Sequence, residues 1–336
     1  MSRPPSPAVS RPTSPTTQPS TTRDAGPPFN DIWPGLTVIL RSSDNVDFFV
    51  LKPVLAKVSI VFKDMFELPE TPPVPPLGND NPRDGLPLIE LTEDSSTLQI
   101  VLRLCYPVEN PDLSNLEDIR RFLEACRKYM IEAFEETIKD ALLQVADTNL
   151  FSVFALASRY GLGDVANEAA KRLLNLPTTV MSSKQALKDL TGHQYHRLLV
   201  YRRECARRAS TEPQLMWFNA LSSPYQPSPT TSSSCRAQFH FYSVSSPRNF
   251  LWVPHWWTSY LHKALELLAD RPRGSTVTST ELLERFYKET AFCLECEDEG
   301  RAALIKFSAA LALEVEKVIA QACILSCVLC DARVIC

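Results

Sequence analysis

The stretch Leu36–Phe66, LTVILRSSDNVDFFVLKPVLAKVSIVFKDMF, decides how this chain begins to fold. Leu36, Val38 and Leu40 alternate, which predicts a strand with one apolar face. Ser42-Ser43-Asp44-Asn45 predicts a turn, and Phe48–Leu51 a second strand returning antiparallel. Pro53 suits the first turn of a helix, where its missing N–H is no loss. Val54, Leu55, Val58, Val61, Phe62, Met65 and Phe66 then continue at three- and four-residue spacing. Two short helices broken near Ser59 are expected. Phe48, Leu55, Phe62, Met65 and Phe66 are assigned to the core against the sheet, each worth roughly 1.5–3 kcal/mol on burial.

Downstream, residues 69–87 hold seven prolines and Asn79-Asp80-Asn81, the composition of a long exposed loop. Leu86–Leu91 predicts a third strand, and Asp94 or Ser95 a helix cap. Leu98, Val101, Leu102 and Cys105 fall at helical spacing before Pro107. Ile119, Phe122, Leu123 and Cys126 repeat that pattern, as do Ile131, Phe134, Ile138 and Leu142. A helical hairpin with a glycine stop at Gly161 is expected over 149–176, packed onto the domain before it. A helix from about Gly192 to Ala209 follows, then a Ser/Pro/Thr-rich insertion. Apolar faces at Trp257–Leu268, Leu282–Phe286 and Leu304–Val318 predict a helical second half.

Upstream, residues 1–28 carry 18 Ser, Thr or Pro and a single large aliphatic residue, Val9, which predicts a disordered arm. Ser6-Pro7 and Ser14-Pro15 are candidate sites for a proline-directed kinase. The arm lacks the apolar core of a secretory signal, so an intracellular protein of cytoplasm or nucleus is expected, with its 10 cysteines reduced. The apolar run Val318–Cys330 is too short to span a bilayer, and no membrane partner is expected. With 9 glycines in 336 residues, phosphate-cradling loops are disfavoured. A net charge of −4 gives direct nucleic-acid binding little electrostatic support and leaves other proteins as the expected partners.

In order and in residues, the first half resembles the BTB/POZ interaction domain. The likeness runs through Asp47-Phe48, Leu55, Ser59, Phe62 and Met65-Phe66, then Tyr106 and Ala125–Tyr129. Leu40–Asp44, Phe62–Phe66, Arg127-Lys128-Tyr129 and Ala169-Ala170 are similar to BTB proteins abundant in mushroom-forming fungi. The resemblance implies an α+β fold: a small three-stranded sheet with stacked helices, followed by a mainly α-helical region. The domain map is an arm at 1–29, a BTB/POZ-like domain at 30–145, a helical extension at 146–180, and a helical C-terminal region at 181–336 with a flexible insertion at 220–250. Lys52-Pro53 replaces the family's basic pair after the second strand, and Thr37 replaces an acidic position. Both departures weigh against a repressor-type pocket between subunits, and self-association stays open. Members that serve cullin-type ubiquitin ligases as substrate adaptors carry an apolar-x-Glu pattern after the second helix, and Met65-Phe66-Glu67 is similar to it.

No sequence pattern nominates a nucleophile with its base, and no cofactor is assigned. Cys293 and Cys296 are candidate zinc ligands by their two-residue spacing, with Cys205, Cys235 and His255 as unpaired further candidates, so no metal site is assigned. His193 and His196 are placed on a polar helical flank. Cys323, Cys327, Cys330 and Cys336 share one apolar face suited to packing or palmitoylation. Arg202, Arg203, Arg207 and Arg208 are placed at a helix end, complementing its dipole. Trp252, Trp256 and Trp257 are assigned as packing anchors. The leading expectation is an interaction scaffold, with a ligase adaptor as its sharper form. The alternative is an oligomerising nuclear co-regulator without its own DNA-binding motif. Third comes an enzyme activity around Trp257 and Cys293.

Overall fold

A turn at Ser42–Asn45 folds the first apolar run back on itself. Strands β2 (Thr37–Arg41) and β3 (Val46–Leu51) pair antiparallel, Val38 opposite Val50 and Leu40 opposite Phe48. In this computed structural model residues 22–68, 85–216, 239–243, 250–290 and 297–325 are described. Asn45 takes positive φ in the turn, while the Ser42 hydroxyl accepts from the Val46 amide at 2.9 Å. The sheet has four strands, one more than expected, in the order β1 (Arg23–Asp24), β3, β2, β4 (Leu88–Glu90). The additional strand, β1, runs parallel to β3, and β4 runs parallel to β2.

The alternation read for β2 was too simple. Thr37, Val38, Ile39 and Leu40 are all buried, because β2 lies inside the sheet and both its faces are covered. Leu36, which the period placed inward, is 47% exposed. Phe29, at the end of the expected arm, is a core residue: its ring meets Tyr106 edge-on at 5.4 Å and its carbonyl accepts from the Phe49 amide. Residues 1–21 lie outside the described residues.

Helices α1 (Lys52–Val58) and α2 (Ile60–Glu67) are separated by Ser59, as the sequence predicts, with Pro53 in the first turn of α1. Helix α3 (Ser95–Cys105) begins at Asp94, whose side chain accepts from the Thr97 amide at 2.8 Å. Helix α4 (Leu116–Lys128) buries Ile119, Phe122, Leu123 and Cys126. These elements form a first compact unit, which takes in the described residues up to 113 together with 117–135.

The second unit comprises residues 114–116 and the described residues from 136 to 325. It holds α5 (Glu135–Gln144), α6 (Ala146–Tyr160), α7 (Gly163–Leu173), α8 (Lys184–Asp189), α9 (Gly192–Met216), α10 (His255–Leu268), α11 (Gly274–Val277), α12 (Thr280–Thr290) and α13 (Glu297–Leu325). Gly161 ends α6 in the left-handed region at φ 77°, where a side chain would be strained. The α6–α7 hairpin groups with the helices that follow it. Arg202 of α9, only 5% exposed, makes that attachment. Its guanidinium donates to the carbonyls of Leu173, the last residue of α7, and of Leu176 beyond it, and at 2.8 Å to that of Asp270 beyond α10. Because α9 continues to Met216, Arg202 caps neighbouring chain ends rather than its own helix, which corrects the dipole reading. Trp256 and Trp257 are buried as expected, with Trp257 at 4.9 Å from the Phe307 ring.

A second, two-stranded sheet, β5 (Phe239–Ser243) antiparallel to β6 (Phe250–Pro254), forms where a flexible insertion at 220–250 was expected. Aromatic and β-branched residues at 239–242 and 250–253 carried that strand signal, and the flanking Ser and Pro residues masked it. Residues 217–238 and 244–249 lie outside the described residues.

Candidate functional site

Ser59 governs the geometry around Met65, Phe66 and Glu67. Its extended backbone (φ −129°, ψ 121°) turns the chain between α1 and α2. Its hydroxyl accepts from the Phe62 amide at 3.1 Å and donates to the Tyr129 carbonyl at 2.6 Å. A capped α2 then carries Phe62 inward, where its ring stacks on Tyr129 at 4.8 Å with an interplanar angle of 18°. Phe66 follows one turn later, half-buried, stacked on Phe62 at 6.0 Å.

The neighbouring positions face outward. Met65 is 37% exposed, contrary to its assignment to the core, because on α2 it lies about 60° to one side of Phe62 while Phe66 lies about 40° to the other, off the line that meets Tyr129. Ile60 and Leu68 are more open still, at 56% and 68%. Glu67 is exposed and loosely paired with Lys63 at 4.0 Å, an arrangement that an exposed i,i+4 pair exchanges readily for another partner. The end of α2 thus presents apolar Met65 and Leu68 beside a solvated carboxylate, a chemistry suited to contact with another polypeptide.

Behind this end, the polar residues that carry the resemblance hold the unit together. Arg41 makes a two-pronged ion pair with the buried Asp47, at 2.7 and 2.9 Å. Asp44 accepts from the Ser95 amide and hydroxyl, both at 2.7 Å, tying the hairpin turn to the start of α3. Burial opposes ionisation of Asp44, yet the Ser95 and Ser42 hydrogen bonds prevail and lower it to about 2. Glu93 is also raised by burial and more strongly lowered by hydrogen bonds from Lys128 and Tyr129, so it stays below the usual carboxylate range. Burial and then the Glu93 bond drive the Tyr129 hydroxyl in the opposite direction, keeping it protonated. Tyr106 accepts from the Leu51 amide at 2.8 Å, which locks α3 to the end of β3.

A polar recess of about 420 Å³ opens between the Ser43 turn and α4. It is crossed by the pairs Arg121–Asp94 at 2.9 Å and Lys128–Glu93 at 2.8 Å. Arg121, Asp94, Lys128 and Glu93 are committed to each other in these pairs, and the recess brings together no nucleophile and base.

Other residues singled out by sequence separate widely. His193 and His196 are exposed on α9, and Cys205 is buried beneath the same helix. Cys235, Cys293, Cys296, Cys327, Cys330 and Cys336 lie outside the described residues. Among the described residues no three His, Cys, Asp or Glu side chains converge as a metal site, and no helix is long and apolar enough to cross a membrane. Burial pushes both Cys105 and Cys126 up to about 12, the condition of inert core thiols. Thr37 accepts from the Trp33 amide at 2.7 Å and fixes the chain entering β2. No protein-family model matches this sequence, and no curated protein does.

Proposed function

We propose that this chain is a BTB/POZ-like protein-interaction module and that the end of α2 is its docking surface for a cullin-type ubiquitin-ligase scaffold. The element order supports this reading: a hairpin, two short helices about Ser59, a strand parallel to β2, then α3 and α4. Met65 carries it. A large apolar side chain left 37% exposed on a capped helix, next to exposed Leu68 and Glu67, has a contact surface to offer once a partner removes it from water. The function is binding without turnover.

Glu67→Arg reverses the carboxylate at an exposed position and leaves the Phe62–Tyr129 stack untouched. Co-purification of the full chain with the cullin is expected to vanish in this variant while circular dichroism and Tm stay unchanged. Co-purification that survives the reversal removes the adaptor assignment.

A second reading, oligomerisation in a regulatory complex, draws support from Ile32, Trp33 and Leu36, exposed by 48%, 56% and 47% on the segment entering β2. Trp33→Asp then shifts a dimer to a monomer in light scattering at micromolar concentration. A wild-type chain that is already monomeric there discards this second reading.

A further inference from the structure

We propose that the outward face of α9 is a docking strip for a short acidic segment of a partner protein. His193, His196, Val200, Arg203 and Arg207 are its exposed positions, spaced three, four, three and four residues apart, so they share one face. Fourteen residues at about 1.5 Å rise give a strip about 21 Å long, the span of six or seven residues of extended peptide.

Charge concentrates here. Between residues 184 and 208 the sequence has seven Lys or Arg (184, 188, 197, 202, 203, 207, 208) against Asp189 and Glu204, a net of +5. The whole chain is −4, so the remainder is −9. Arg202 is buried and turned to backbone carbonyls, and Glu204 offsets one charge of the Arg207–Arg208 pair, so the strip's own surplus rests on Arg203 and that pair. Asp189 is buried and held by Arg159 at 2.7 Å. Glu204 is shared by Arg207 and Arg208, whose hydrogen bonds hold it ionised. Among the described residues no carboxylate pairs with Lys184, Lys188 or Arg203.

The strip's composition selects the occupant. The strip's exposed rings are two small imidazoles, and the larger platforms on which nucleotide bases stack are withdrawn: Tyr201 is 3% exposed and Tyr195 lies edge-on to Phe151 at 6.3 Å. A helix lying in a membrane surface turns a broad apolar face outward; here Leu198, Tyr201, Cys205 and Ala209 are buried and Val200 alone, at 40%, breaks the polar strip. The −9 elsewhere repels an extended polyanion, whereas a segment of six or seven residues meets only the local field. An aliphatic residue against Val200 with acidic side chains after it, toward Arg203 and Arg207, matches the face.

The test uses the full chain and a fluorescein-labelled ten-residue peptide with six Asp or Glu around one Leu, read by anisotropy. Binding at low salt is expected to weaken as salt shortens the screening length. His196→Glu with Arg203→Glu is expected to weaken it at least about tenfold, and Lys288→Glu, a charge reversal off the strip on α12, less than about twofold. Circular dichroism confirms that each variant is folded; Arg203→Gln, expected to cost about threefold, replaces the double variant should that unfold. The proposal falls if the peptide does not bind, if Lys288→Glu is equally damaging, or if single-stranded RNA or phosphatidylserine vesicles bind more tightly. Glu67→Arg is expected to leave peptide binding intact, so this test and that of the cullin contact fail separately.

Discussion

Ser59 lies 1% exposed where the first unit's helices meet, and Ser59→Ala removes two hydrogen bonds at once. Loss of the N-cap of α2 costs about 1 kcal/mol. The second loss orphans the Tyr129 carbonyl in a buried setting, at about 1–3 kcal/mol. Together the variant should lose about 2–4 kcal/mol, with little change in apolar area, since only a hydroxyl is deleted. Amide exchange across residues 60–67, followed by mass spectrometry on the full chain, reads this as an acceleration of about thirty- to a thousandfold if opening is fast and reversible. Cullin binding should weaken with it, because Met65 and Glu67 are held in place by the same helix. An acceleration below about threefold would refute the reasoning, since α2 would then be fixed by the Phe62–Tyr129 stack without its cap.

Arg202→Met fills similar space but withdraws the guanidinium from the carbonyls of Leu173, Leu176 and Asp270, of which Leu173 still accepts from the Leu176 amide. A loss of about 3 kcal/mol is expected in the unfolding transition of the second unit, measured by urea titration. Gly274→Ala places a Cβ 2.8 Å from the Ala312 carbonyl oxygen, and two backbones must part to admit it. Thermal melting should show a loss of about 1–3 kcal/mol. The carboxylates of Asp44, Glu93 and Asp94 ionise more readily in the folded chain than their ordinary values of 3.8, 4.5 and 3.8. Their stabilisation is present above those ordinary values and is lost as pH falls through the lowered ones, toward about 2 for Asp44. Urea midpoints between pH 5 and pH 2.5 should therefore fall, and Asp44→Asn should flatten the profile; an unchanged slope would contradict the assignment.

Local signals were legible wherever one residue type has one physical use. Pro53 opened α1, Asp94 capped α3 and Gly161 ended α6, each through its own backbone or hydrogen-bond chemistry. What depends on neighbours distant in sequence was not legible. Leu36 and Met65 have apolar periodicity, yet exposure follows from which strand or ring stands opposite, and Tyr129 lies more than sixty residues beyond Met65. Arg202 looked like one of four surface arginines, because nothing local says that two chain ends would present carbonyls to it. Strand β1 is two residues long, too short for any period, and Phe29 beside it is ordered by Phe48 and Tyr106. The candidate site was found as a triplet, Met65-Phe66-Glu67, but its division into a half-buried anchor and two exposed contacts required the fold.

A photo-crosslinking residue in place of Leu68, at the exposed end of α2, tests the cullin contact most directly. On irradiation with the purified cullin it should yield a covalent adduct, whereas the same residue in place of Leu313, 65% exposed on α13, should not. No adduct from position 68, or equal yields from both positions, would contradict docking at the end of α2.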